Sequence, residues 1–422
     1  MSHPPFACLS ARLGLFVLLA LPLSLSSPAH AAKKAPPPPP AGPLVELGES
    51  FPVETSLDDP AVRDAQVIWL EMIGRAKVSV DVAEFYITAT PGSRMEPVVQ
   101  ALQAAGKRGV KVRVLADAKF AKTYPEQLDL LGKSTGVELR RYDMNPLTGG
   151  VLHAKYFVVD GVEGWVGSQN MDWRSLTHIG ELGLRFTEPG AVSALSRVFE
   201  LDWRVAGGEA PPALTPVDDG AAADPLPMAA ATFNGQPVTV ALAASPGELL
   251  PASVPWDLPP LLAIIDGAKT SVKLEFLTYS TSGYDKVYWD ALDRSLRRAA
   301  NRGVKVELLV ADWSKKYPEA LQSLEVMKNI DVKFMVIPVW SGGFVDFSRV
   351  MHSKYLVADG ARAWLGTSNA SRDYFHGSRN VSLFVDGAPF AQALEQHFAL
   401  SWGSPYAEAV NPAAAYTAPK TK

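Results

Sequence analysis

Two stretches decide the reading of this chain. The first is His153-Ala-Lys155-Tyr-Phe-Val-Val-Asp160-Gly161, which leads to Trp165-Val-Gly167-Ser-Gln-Asn170. The second is His352-Ser-Lys354-Tyr-Leu-Val-Ala-Asp359-Gly360, which leads to Trp364-Leu-Gly366-Thr-Ser-Asn369. Matched residues lie 199 positions apart, as 352 − 153 and 369 − 170 both give. The match extends outward. Arg302-Gly-Val-Lys-Val-Glu-Leu-Leu-Val-Ala-Asp312 repeats Arg108-Gly-Val-Lys-Val-Arg-Val-Leu-Ala-Asp117, and Phe398-Ala-Leu-Ser-Trp402 answers Phe199-Glu-Leu-Asp-Trp203. Repetition at a fixed offset means two copies of one structural unit.

Around these stretches, helix and strand patterns alternate. Asp59 to Arg75 reads as a helix, with Asp59 as cap, Pro60 in the first turn and one apolar stripe of Ile68, Trp69, Met72 and Ile73. Lys77 to Tyr86 reads as a strand, Met95 to Lys107 as a helix, and Val110 to Leu115 as a β-branched strand. In the second copy the same order returns as Trp256 to Gly267, Ser271 to Leu277 and Val287 to Ala300. The succession predicts an α/β fold of two similar α/β/α sandwich domains, related by a pseudo-twofold axis. The domains are expected at 44–205 and 232–406. Residues 206–231, rich in Ala, Pro, Gly and Asp, read as a linker or surface excursion, and 407–422 as a flexible tail.

The 422 residues are 47% hydrophobic and 20% charged, which excludes a disordered chain or a collagen-like fibre. A net charge of −4 removes any global electrostatic case for nucleic-acid binding and leaves room for a local cationic groove. Leu13 to Leu25 is an apolar run too short for a comfortable span, and Ala29-His30-Ala31 follows it, so 1–31 reads as a signal peptide. Residues 32–43 form a proline-rich leader. Cys8 is the one cysteine, so processing leaves a chain without thiols and without a transmembrane span. The expected location is periplasmic or secreted.

In each copy the His and Lys are two apart in a β-like segment, so both side chains leave one face. Two copies facing one cleft would gather two imidazoles, two ammonium groups and two carboxamides. That set suits a tetrahedral phosphoryl centre: Lys and Asn hold non-bridging oxygens, one imidazole attacks, and the other protonates the leaving oxygen. The sequence holds no His-Glu-x-x-His, no cysteine cluster and no phosphate-binding Gly-rich loop. Lys155 and Lys354 would oppose a bound dication. The expectation is therefore no metal and no cofactor. His178, His376 and His397 have no twin and read as surface or satisfied core residues.

These residues resemble the phospholipase D superfamily, whose signature is a duplicated His-x-Lys-x4-Asp followed by Gly-Ser/Thr-x-Asn. The similarity is strongest to the branch of lysosomal phospholipase-D-like 5′-exonucleases and poxviral envelope phospholipases. It rests on Gly149-Gly-Val-Leu-His-Ala-Lys155, Gly167-Ser-Gln-Asn-Met-Asp-Trp-Arg-Ser-Leu-Thr177, Glu181-Leu-Gly183 and Trp402-Gly-Ser-Pro405, and runs from about Leu44 to Tyr406. The resemblance implies His153 as nucleophile and His352 as general acid and then base. Lys155, Lys354, Asn170 and Asn369 would hold the phosphoryl oxygens, and Asp160 and Asp359 would orient the local network. Glu181 is the family's partner for a catalytic imidazole. The same offset in the second copy gives Asn380, and a carboxylate present in the first half alone points to His153, although the sequence does not say which histidine Glu181 reaches. The cysteine-free mature chain departs from the disulfide-bonded lysosomal members, and Asp359 stands where several of them carry Glu.

The expected enzyme is a metal-independent phosphodiesterase acting through a phosphohistidine on phospholipid head-group diesters, by hydrolysis or transphosphatidylation. The alternative substrate is single-stranded nucleic acid, cleaved as a 5′-exonuclease. A non-catalytic anion-binding or envelope protein is the third reading, opposed by two complete signatures. A lipid would need an apolar entrance near Trp340 to Phe347 or Leu277 to Tyr284, with peripheral membrane contact. A nucleic acid would need stacking surfaces such as Tyr86, Tyr156, Trp173, Tyr355 or Tyr374. The expected active species is a monomer, since one chain holds both sets.

Overall fold

The strands that carry the two signatures occupy matching places in matching sheets. In a computed structural model, residues 42–220, 222–283 and 286–422 are described. The signal segment 1–31 and all but the end of the 32–43 leader lie outside them. In the first copy, Ser79–Glu84 runs parallel to Lys111–Asp117, which runs parallel to Val137–Tyr142. On its other side come, all antiparallel, Tyr156–Val159, Glu163–Gly167, Ile179–Phe186 and Leu44–Ser50. The second copy repeats this order with Ser271–Phe276, Lys305–Ala311 and Ile330–Met335 parallel. Tyr355–Ala358, Arg362–Gly366, Asn380–Asp386 and Gln236–Ser245 then follow antiparallel.

Strand alternation builds three apolar layers. Tyr156 and Val158 point into a middle core with Tyr355 and Val357, where the helices Pro189–Ala206 and Ala388–Trp402 place Phe199, Phe390 and Phe398. Phe157 and Val159 point the other way, onto helices Ala65–Arg75 and Glu96–Lys107. Leu356 and Ala358 do the same against Leu258–Gly267 and Ala291–Asn301. Sheets buried on both faces need near-continuous apolar strands, as both copies have. Each fully buried aliphatic or aromatic side chain contributes about 1.5–3 kcal/mol. The fold is thus two α/β/α sandwiches sharing their inner helical layer.

Several sequence expectations shift at their edges. The first helix starts at Ala65, not after Asp59: Asp64 accepts from the Gln66 amide as the true cap. Pro60 misled, because Asp59 instead closes a local turn onto Ala61. The helix expected from Val287 begins at Ala291. The excursion 206–231 is not wholly loose, since Ala229–Phe233 is a strand that pairs with Gln236–Ser245 and also with Leu44–Ser50 of the first copy. Asp219 within it meets His376 at 2.8 Å and accepts from Trp289 at 2.6 Å. The tail expected to be flexible from 407 is tied down. Ala407–Ala409 pairs with Ile330–Met335, Tyr416 packs on Phe334, and the Phe347 amide donates to the Thr421 carbonyl. Among the described residues no helix is long and apolar enough to cross a membrane.

Candidate active site

Each His-x-Lys segment is built by the other copy. His153 and Lys155 lie in extended chain just before Tyr156–Val159, and His352 and Lys354 just before Tyr355–Ala358. The His153 amide donates to the Arg379 carbonyl at 3.0 Å, and the His352 amide to the Gly180 carbonyl at 2.7 Å. Val350–Met351 pairs in parallel with Ile179–Gly180, as Leu152 does with Arg379. The chains cross so closely that a Cβ on Gly150 would collide with the Gly377 carbonyl oxygen. Only glycine fits there.

This exchange crosses the imidazole partners. His153 Nδ1 stands 3.0 Å from Asn380 Oδ1. The Asn380 amide nitrogen donates to the carbonyls of Tyr374 and Ser378, and its oxygen also accepts from Thr367 Oγ1 at 2.8 Å. Oδ1 is therefore an acceptor, which puts the proton on His153 Nδ1 and leaves the Nε2 lone pair for chemistry. His352 Nδ1 stands 2.5 Å from Glu181 Oε1. Glu181 thus serves His352 and not His153, so its presence in the first half gives no support to His153 as nucleophile.

The charged groups are sunk between the copies. Lys155 and Lys354 are fully buried, and each ammonium donates to the carbonyl of the histidine two residues before it. Burial drives both histidines well below their usual range, and the ammonium of Lys155 or Lys354 adds to it. Burial also pulls Lys155 down to about 7, against Glu84 and Glu181, and Lys354 well down. The Glu181 carboxyl is pushed up to about 8 by burial, with Lys354 opposing. These mutual influences link Lys155, Lys354, both histidines and Glu181 in one electrostatic cluster. Asn170 and Asn369 are buried beside the ends of Glu163–Gly167 and Arg362–Gly366, and each carboxamide oxygen lacks a hydrogen-bond partner.

Asp160 and Asp359, expected to orient the network around the site, lie outside this cluster. They sit at the far ends of their strands, in the left-handed conformation. Asp160 accepts from the amides of Lys77, Val78 and Ser79, and Asp359 from those of Lys269, Thr270 and Ser271. They fasten a loop to a strand. Tyr156 and Tyr355 are core residues, while Tyr86, Trp173 and Tyr374 are half-buried.

Of the other residues at the site, Tyr374 is expected from sequence only as a stacking surface, and Phe85, Glu84 and Glu275 are not among the sequence candidates. Asn380 was visible only as a mismatch at the Glu181 offset. Phe85 and Tyr374 pack edge-on against the His153 ring at 5.1 and 4.8 Å. Glu84 and Glu275 are buried carboxyls raised by desolvation, countered by Lys155 and mainly by His397 respectively. Among the described residues no cluster of His, Cys, Asp and Glu could hold a metal ion. An acceptor-rich anion with two or more oxygens matches the ammonium and carboxamide groups instead.

Comparison with known proteins identifies the family. The family model described as cardiolipin synthase, PLD-like domain, matches residues 69–203 and 261–402. Phospholipase D Z of Dictyostelium discoideum is 33% identical over 386 residues, covering 86% of this chain and 90% of that protein. The 5'-3' exonuclease PLD3 of Rattus norvegicus is 34% identical over 388 residues, covering 85% and 78%. Among solved structures, phosphatidylserine synthase of Haemophilus influenzae Rd KW20 shares the fold, with a TM-score of 0.60 over 87% of both chains at 12% identity.

Proposed function

The chain belongs to the phospholipase D-like family of phosphodiesterases, and we propose that it works without metal through a phosphohistidine on His153. The observation that carries this assignment is the crossed pair of partners. Asn380 fixes His153 as a neutral imidazole with Nδ1 protonated, the form that attacks. Glu181 gives His352 a carboxylate with which to share a proton, the form that donates.

In the first step His153 Nε2 bonds to phosphorus as the bond to the leaving oxygen breaks, and His352 delivers the proton that oxygen needs. A phosphohistidine and a free alcohol result. Water then attacks the same phosphorus, His352 takes the water's proton, and the P–N bond breaks to return neutral His153. Lys155, Lys354, Asn170 and Asn369 hold the non-bridging oxygens, and an anion between the lysines favours their ammonium forms. Turnover of bis(p-nitrophenyl) phosphate in chelator tests this; dependence on an added dication would contradict it.

For substrate class we take phospholipid head-group diesters, with peripheral membrane contact. The connection into His352 is six residues longer than its counterpart into His153 (352 − 335 against 153 − 142). That extra length exposes Val339, Phe344 and Phe347 to solvent, with Lys420 lying 4.2 Å over the Phe344 ring. Apolar tips beside the exposed Lys420 suit an anionic lipid surface. Single-stranded nucleic acid is supported by a different observation. Half-buried Phe85, Phe120, Tyr86 and Tyr124 form a row of rings leading away from His153, with exposed Lys119 and Lys122 nearby. Turnover of diacyl phospholipid vesicles against 5′-hydroxyl single-stranded DNA separates the two. Export to the periplasm or medium rests on the apolar run and Ala29-His30-Ala31, and an intact mass retaining Cys8 would contradict it. A monomer suffices, since one chain supplies both signatures.

A further inference from the structure

The repeat is broken at a second buried point, beside the His153 segment. Arg379 and Asp202 are both wholly inaccessible to solvent. Arg379 Nε and Nη2 donate to the two Asp202 oxygens at 2.8 and 2.9 Å, a bidentate fork. Nη1 and Nη2 also donate to the carbonyls of Ser245 and Leu249, each at 2.8 Å. In the other half the equivalent positions are Gly180 and Ser401, at 379 − 199 and 202 + 199. Met351 packs against Gly180 there, where a Cβ would collide with its sulfur. The ion pair therefore exists on the His153 side alone.

Its position is specific. Asp202 belongs to helix Pro189–Ala206 of the first copy, while Arg379 immediately precedes the strand of the second copy that opens with Asn380. The backbone of Arg379 also grips the His153 segment from both sides: its amide donates to the Val151 carbonyl and its carbonyl accepts from the His153 amide. A buried ion pair repays its desolvation poorly as a source of stability, and its best-attested use is fixing one arrangement. Here it fixes the arrangement that holds the Asn380 oxygen against His153 Nδ1. We propose that Arg379, locked by Asp202, is a positioning residue for His153, keeping its ring aimed for in-line attack. This rests on His153 being the nucleophile. A proton shuttle tolerates more play than an attacking atom, which accounts for the absence of such a clamp beneath His352.

The test uses full-length Arg379→Lys, which keeps the charge and loses the fork, and a second variant pairing Arg379→Met with Asp202→Leu, which fills the space without charge. The readouts are the p-nitrophenol burst from a p-nitrophenyl diester, the later steady rate, and the 15N-histidine NMR signal of His153 Nδ1–H. The expected result is a burst slowed about 100-fold, with KM and phosphohistidine hydrolysis within about threefold of the parent. The His153 Nδ1–H signal should broaden or move while that of His352 stays. Should Arg379→Lys fail to fold, the Met/Leu pair decides by the same readouts. A folded variant that keeps both the parental burst rate and the His153 signal overturns the proposal. Where the parent shows no burst, adduct formation limits turnover and the steady rate together with the NMR signals judges the clamp; an adduct mapped to His352 alone overturns the nucleophile assignment on which it rests.

Discussion

Glu181 of the first copy and His352 of the second meet at 2.5 Å, Oε1 to Nδ1, across the seam between the two halves. Its counterpart is the 3.0 Å contact of Asn380 with His153. A carboxylate and a carboxamide occupy equivalent positions, so two imidazoles of one repeat receive different electrostatics. A charged partner favours holding a proton, and a neutral oxygen only fixes a tautomer. The division of labour follows from that difference between the copies.

The pH profile should report the Glu181–His352 pair. The Glu181 carboxyl is pushed up to about 8 by burial, so the pair holds its proton below about 8 and loses it as pH rises through that value. Turnover should fall on the alkaline side. His153 is held well below its usual range, so it remains a neutral nucleophile into mild acid. Glu181→Gln should shift the alkaline limb to lower pH and cut kcat at pH 7 by roughly 10²–10⁴-fold on substrates with poor leaving groups. A p-nitrophenyl diester should lose much less. An unchanged pH–rate profile would contradict the pairing.

Asn380→Asp tests the other side of the crossing. A carboxylate beside His153 favours its charged form, raising its pKa by about 1–3 units. The acid limb of kcat/KM should move to higher pH while the alkaline limb stays in place. The pH–rate profile measures both limbs at once.

Asp160→Asn and Asp359→Asn should cost stability and spare chemistry. Asp359 is held down at about 2, below its unfolded value, by amides that oppose its burial. Its contribution is therefore present above the unfolded carboxylate range and is lost as pH falls toward 2. Removing the charge at neutral pH should destabilise by roughly 1–3 kcal/mol, read in urea titrations. The kcat of the folded enzyme should remain within about twofold, as for any change that leaves the reacting groups in place. A collapse of kcat without loss of stability would return both aspartates to the catalytic set.

The repeat made the fold legible, because the apolar runs Tyr156 to Val159 and Tyr355 to Ala358 must bury two faces. It also made His153, Lys155 and Asn170 and their twins legible, since polar residues duplicated in place at the ends of apolar strands demand partners. The crossing was not legible. Glu181 lies closer in sequence to His153 than to His352, yet the pairing of Val350–Met351 with Ile179–Gly180 delivers it to the latter. Sequence distance carries no information about such an exchange. Asp160 and Asp359 share the motif because the loop-to-strand junction needs an amide acceptor in the left-handed conformation, a constraint of folding that looks like chemistry in a one-dimensional pattern. Arg379 and Asp202 were hidden for the opposite reason: they are where the repeat fails.

The most direct measurement is to quench the enzyme during turnover of a p-nitrophenyl diester, keep it at alkaline pH to preserve the acid-labile adduct, and map the phosphohistidine by peptide mass. The expected result is the phosphoryl group, still carrying its remaining ester, on His153, absent in His153→Ala and accumulating in His352→Ala, where the base for hydrolysis is gone. The phosphoryl adduct on His352 with none on His153 would contradict the assignment of roles.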